Sequence, residues 1–145
     1  MAEWITPVYD RTQSDVDYAK LQLAKNINDV EYKGCFNSSD INRIEGNARY
    51  LADILISLYY FNNVSTSTWN SESLPYKEHI DRIINNIGEL WGRWDKPQDA
   101  EDLPVSLLNY EQVNTVEKNL FLLKEMLGDM ESYFIECGTF NCGEV

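Results

Sequence analysis

The residues that could do chemistry are few and far apart. The chain has one histidine, His79, and three cysteines, Cys35, Cys137 and Cys142. Nucleophilic catalysis needs a base beside its nucleophile, and His79 stands on a predicted helix three residues before Arg82, with no Cys-His or Ser-His pair evident from the spacing. It reads as a lone surface histidine. The cysteines form no CxxC pair and offer too few soft ligands for zinc. Cys137 and Cys142 flank a Gly-Thr-Phe-Asn turn, where a small disulfide in an oxidising setting and two free thiols of a C-terminal tail both fit. Carboxylates are plentiful, but acid–base chemistry needs two in contrasting environments. Pairs such as Asp15/Asp17 and Glu125/Asp129 fall on polar helix faces. There is no phosphate-binding glycine loop, no HExxH and no EF-hand, and the acidic run Asp95 to Asp102 lacks the glycine of a calcium loop. The expectation is a non-enzyme with no cofactor and no metal.

At 145 residues, 43% of them hydrophobic, the chain fits one domain with a core of its own. Acidic residues outnumber basic ones 24 to 12, for a net charge of −12, which disfavours binding to nucleic-acid phosphates. No run approaches the roughly 18 apolar residues of a membrane span. The opening MAEWITPVYDRT has neither the basic nor the apolar region of a signal peptide, so the chain is expected to be made and kept in the cytoplasm, or released without a cleaved signal. The sequons at Asn37 and Asn63 carry no weight without one.

The spacing predicts an all-α fold, a bundle of about four helices behind an extended N-terminal arm. Residues 1–12 form the arm, because Pro7 keeps a helix from starting upstream of it. Thr12 and Asp15 can cap a first helix over about 13–32, with Val16, Ala19, Leu23, Ile27 and Val30 as its stripe and Gly34 as its stop. Capping residues at 37–40 precede Ile41, Ile44, Ala48, Leu51, Leu55 and Leu58, a helix over about 39–60. Residues 62–73 are polar and aperiodic and read as a loop or flexible excursion. A third helix starts near Pro75, carries Ile80, Ile83, Ile87, Leu90 and Trp94, and stops at Lys96-Pro97. Asn109 and Gln112 offer a capping box for a fourth, about 110–136, with Val113, Val116, Leu120, Leu123, Leu127, Met130 and Phe134. The bundle domain spans 13–136 and residues 137–145 are a C-terminal tail.

Helices two to four repeat more than their spacing. INRIEGNARYL (41–51), IDRIINNIGEL (80–90) and VNTVEKNLFLL (113–123) align without gaps. Asn47, Asn86 and Asn119 fall at one register, with Asn42, Glu45, Asn114 and Glu117 reinforcing the match between the second and fourth helices. Asparagine is a mediocre helix former, so its repetition needs another reason. Two readings stand: a polar network, Asn to Asn or Asn to Glu across helices, that fixes register, or half-exposed boundary residues kept by descent from a duplication. Among the aromatics, Trp94 lies on the seam, whereas Trp91, Trp69 and Trp4 lie off it. With Ile5, Val8 and Tyr9 of the arm these three are candidate interface residues. The arm must pack on its own bundle or on a neighbour.

EWITPVYDRTQSDVDYAK, FNSSDINRIEGNARYL and LLNYEQVNTVEKNLFLL resemble segments of tail-associated structural proteins of bacteriophages and prophages of Gram-positive bacteria. There a W-x-TPV-x-DRT opening precedes a helix and an N-x-SDLNRIE-x-N-x-x-YL helix follows. The match covers residues 3–20, 35–51 and 108–123. It implies a virion component of the tail tip, baseplate or fibre-attachment region, assembling with other virion proteins and with itself, with no catalytic residue to transfer. The alternative is a small acidic inhibitor that mimics nucleic acid to block a host defence protein, since −12 on a helical scaffold could present carboxylates like phosphates. Against it, the acids are interleaved with Lys20, Lys25, Arg43, Arg49, Lys118 and Lys124.

Overall fold

The computed structural model describes residues 2–73 and 75–136, without the side chains of 130–136. It is all-α, with four helices: α1 (Gln13–Ala24), α2 (Ser38–Ser57), α3 (Lys77–Arg93) and α4 (Tyr110–Glu136). Among the described residues the arm and the connectors before α3 and α4 contain no helix or strand. Cys137, Cys142 and the expected tail lie outside the described residues.

The core is the three repeated helices. Ile41, Ile44, Ala48, Leu51 and Leu55 of α2 meet Ile83, Ile87 and Leu90 of α3 and Val113, Val116, Leu120, Leu123 and Leu127 of α4, all buried. Each of α2, α3 and α4 packs against the other two, while α1 makes only a marginal contact and buries only Ala19. A fully buried Leu contributes about 1.5–3 kcal/mol through burial, so this one cluster carries the fold.

The three core helices run parallel. The arm passes Asn47 at Ile5 and Asp40 at Arg11, so it runs antiparallel to α2; it passes Glu117 at Val8 and Asn114 at Arg11, so it runs antiparallel to α4 as well. The segment before α3 passes Glu45 at Ser67 and Asn42 at Trp69 on α2, and Asn86 at Ser65 and the His79 ring at Trp69 on α3. Parallel helices need connections that return the length of the bundle. A 20-residue helix is about 30 Å long, and extended chain covers about 3.3 Å per residue, so connectors 58–76 and 94–109 suffice.

The helix ends differ from expectation for local reasons. The first helix stops at Ala24, not near 32, because Asn26 takes a left-handed conformation (φ 60°) and the N–H groups of Asn26 and Ile27 fold back onto the carbonyls of Leu23 and Gln22. Ile27 and Val30 therefore lie beyond the helix and are exposed. The second stops at Ser57 by the same motif, with Tyr59 (φ 68°) in the left-handed place and the N–H of Tyr60 on the Leu55 carbonyl. The third begins at Lys77 and ends at Arg93, where Trp94 leaves helical geometry (φ −118°, ψ −95°) before Lys96-Pro97 is reached. The fourth starts with the expected box, the Gln112 N–H on Asn109 Oδ1 at 2.9 Å and the Asn109 N–H on Gln112 Oε1 at 3.3 Å.

Candidate functional site

The repeated asparagines do not bond to one another or to the repeated glutamates. Each grips the backbone of a segment outside the helices. Asn47 Oδ1 accepts the Ile5 N–H (2.9 Å) and its Nδ2 donates to the Ile5 carbonyl (2.7 Å). Asn86 does the same to Ser65 (3.3 and 2.8 Å), and Asn119 to Glu101 (3.1 and 3.0 Å). A carboxamide presents one acceptor and a donor side by side, as a neighbouring β-strand does, so it satisfies both polar groups of a residue that has no strand partner. Asn47, Asn86 and Asn119 are buried, at 1%, 5% and 0% exposure, so the half-exposed boundary reading does not hold either.

A second tier repeats the grip at the other end. Asn42 closes on Trp69, with both bonds at 2.7 Å, and Asn114 on Arg11 (3.3 and 3.0 Å). Between the tiers, Glu117 accepts the Val8 N–H (3.2 Å), and Glu45 accepts the Ser67 N–H (3.2 Å) and the Trp69 indole N–H. Each of these two glutamates also meets an arginine of the next helix. Arg43 Nη2 donates to Glu117 Oε2 at 2.9 Å, and Arg82 Nη2 lies 2.7 Å from Glu45 Oε1, an ion contact without the alignment of a hydrogen bond.

The arrangement is pseudo-threefold. Each segment lies between the preceding helix in the cycle α2, α3, α4 and the core helix that follows it in the chain, directly or, for the arm, after α1; that following helix grips it with the later Asn. That preceding helix supplies the earlier Asn and the Glu. The third groove departs from the pattern at three places: Asp81, paired with Lys77, stands where the other helices carry Asn42 and Asn114, Ile84 where they carry Glu45 and Glu117, and Thr115 where they carry Arg43 and Arg82. Both partners of the third ion pair are absent together, so neither charge is stranded.

The groove between α2 and α4 holds the arm and the densest electrostatics. Arg11, 5% exposed, reaches Asp40 (2.9 Å), Glu117 (2.8 Å), the Lys33 carbonyl (3.1 Å) and the Val8 carbonyl (2.6 Å). Arg43 reaches the same two carboxylates. Two cations and two anions make a neutral cluster, which is what burial of charge requires. Burial opposes the Arg43 charge, but bonds to Glu117 and Asp40 outweigh it and hold the guanidinium above its ordinary range. Arg11, Asp40, Arg43 and Arg82 escape sequence reasoning as a cluster, Arg43 being read only as one of the cations interleaved with the acids; the available signal was Arg at the third place of two repeat copies with Glu at the fifth place of two.

The aromatic candidates fold onto their own protein. Trp4 is partly buried against Tyr50 (5.7 Å between rings) under the Lys124 ammonium, and Trp69 and Trp91 pack on the core. Val8 is half-buried, while Ile5 and Tyr9 stay 54% and 38% exposed, Tyr9 beside Phe121. Segment 62–73 is no free excursion: Asn42, Glu45 and Asn86 hold it, and Val64 is buried. His79 is half-buried rather than a plain surface residue: its Nδ1 accepts the Tyr76 N–H (2.9 Å) at the start of α3, and its ring meets Trp69. Burial, then the charge of Asp40, pushes the Cys35 thiol up, away from the thiolate a nucleophile needs.

Among the described residues no group of three or more His, Cys, Asp or Glu could hold a metal, and no helix is long and apolar enough to cross a membrane. No protein-family model, curated protein or solved structure matches the chain.

Proposed function

We propose that the chain is a non-enzymatic structural protein of a bacteriophage virion, a component of the tail, baseplate or fibre-attachment region made in the host cytoplasm and assembling with other virion proteins. The observation that carries the reading is that the resembling segments form one physical unit. The WITPVYDR opening lies in the groove whose wall is the NRIEGN helix, Ile5 on Asn47 and Arg11 on Asp40, and the fourth-helix segment closes the other wall through Asn114 and Glu117. A motif pair that is distinctive in sequence is thus also coupled in space, as expected of a module that keeps its shape. The buried polar groups serve scaffolding: they fix three segments to three helices and leave Ile5 and Tyr9 outward on a held backbone.

The acidic-inhibitor reading draws less support. Asp40, Glu45 and Glu117 face inward onto arginines, so they add nothing to a phosphate-like surface. Mass spectrometry of density-purified particles from a host carrying the gene tests the proposal. The chain should copurify at a fixed ratio to known tail proteins, and its deletion should yield particles lacking a tail substructure. Recovery only in the soluble fraction, bound to a host protein, would replace this reading with the inhibitor.

A further inference from the structure

The groove between α2 and α4 recognises seven residues of the arm, at three points of backbone and one side chain. Asn47 takes Ile5, Glu117 takes the Val8 N–H, Asn114 takes Arg11, and the Arg11 guanidinium ends on Asp40 and Glu117. Nothing in these contacts depends on which molecule supplies the segment. The tether behind it is held differently. Residues 13–31 contain α1, which makes only a marginal contact with the core helices and buries Ala19 alone; the chain is anchored again at Tyr32, which is buried, and at Phe36, which packs on the core. The apolar side chains Tyr18, Leu21 and Leu23 of α1 are 58%, 54% and 43% exposed, and Ile27 and Val30 continue that exposure beyond the turn. A tightly held terminal segment joined to the core through a helix that buries little is the arrangement in which identical segments exchange. Every groove contact survives the exchange, and only the tether changes its surroundings.

We propose that the α2–α4 groove is an exchange site for the N-terminal arm of a second copy of this chain. Residues 5–11 of one copy lie in the groove of its neighbour, and the two freed α1 tethers come together and cover the apolar residues that the single copy leaves exposed. The occupant is a second copy because the groove asks for an arginine six residues after the one held by Asn47, with Asp40 and Glu117 as its charge complement, and the chain's own arm meets that demand. The arm in cis competes at an effective concentration in the millimolar range, so exchange grows where copies are crowded side by side. The inference rests on the assembly reading and names the partner.

The test uses the full-length chain with Tyr9→Cys and Phe121→Cys, whose native rings lie 5.6 Å apart, and with Cys35, Cys137 and Cys142 replaced by Ser. Isotopically heavy and light copies are mixed, brought from micromolar to millimolar concentration, and treated with a short bismaleimide. Exchange gives a covalent dimer or closed ring that rises with concentration and carries a 9–121 link between heavy and light chains. Adding Arg11→Ala should abolish the interchain link while circular dichroism still reports the helices; should that variant unfold, Asn114→Ala serves as the milder disruption. Linked monomer alone at every concentration, in folded protein, overturns the proposal. Particle mass spectrometry decides the virion reading independently, so the two can fail separately.

Discussion

Asn119 has no exposed surface, yet its side chain bonds only to the backbone of Glu101, and that sets what a substitution does. In a network between helices, an apolar residue of similar size would be neutral or stabilising. In a backbone grip, Asn119→Leu removes two hydrogen bonds to the Glu101 backbone, at about 1–3 kcal/mol together. Urea denaturation should show a lower midpoint with an unchanged slope; an equal or higher midpoint would refute the grip. Arg11 differs because its loss leaves charge behind. Arg11→Met removes one cation from a neutral buried cluster, costing about 3 kcal/mol, and since the pair is shielded from solvent the loss should persist at high salt. The exposed Lys77–Asp81 pair, by contrast, is worth at most about 0.5 kcal/mol and should fade under the same conditions. A penalty for Arg11→Met that vanishes with salt would place the guanidinium in solvent.

At the scale of elements, α2, α3 and α4 were legible from the spacing of Ile, Leu and Val, because a helix that buries one face writes its period into the sequence. The segments between them were not, for a physical reason. Ser65, Ser67 and Glu101 are held by their backbone N–H or carbonyl groups, which every residue has, so the recognition leaves no side-chain pattern behind. The repeated asparagines showed that something was gripped and could not show what. The ends of α1 and α2 were misplaced because Asn26 and Tyr59 fill the left-handed place that glycine usually marks. Tyr59 gives a direct check. It is 83% exposed, so little packing is lost when it is removed, and a left-handed tyrosine costs about 1–2 kcal/mol against the added chain entropy of glycine, about 0.5–1. Tyr59→Gly should therefore raise stability by about 0.5–1 kcal/mol, read as a higher thermal midpoint; a lower midpoint would mean that the ring packs on a neighbour.

For the whole molecule, the pseudo-threefold arrangement makes a claim that no single groove can. Arg43 of α2 meets Glu117 of α4, and Arg82 of α3 meets Glu45 of α2, so closing the cycle requires residue 115 of α4 to meet residue 84 of α3. If the three grooves are equivalent in geometry, the missing pair can be restored. Ile84→Glu alone places an uncompensated carboxylate at a buried position that now holds an apolar side chain, and should be strongly destabilising. Thr115→Arg alone should be close to neutral, since Thr115 is half-buried and the exposed Glu101 beside it can take part of the new charge. Together they should recover about 1–3 kcal/mol of the Ile84→Glu loss, a coupling energy that a double-mutant cycle in urea measures directly. Full recovery is not expected, because replacing packed isoleucine with an ion pair forfeits its apolar burial. Strict additivity of the two changes would mean that α3 and α4 stand further apart or out of register relative to the other two helix pairs, and the threefold relation would then reduce to sequence similarity without shared geometry.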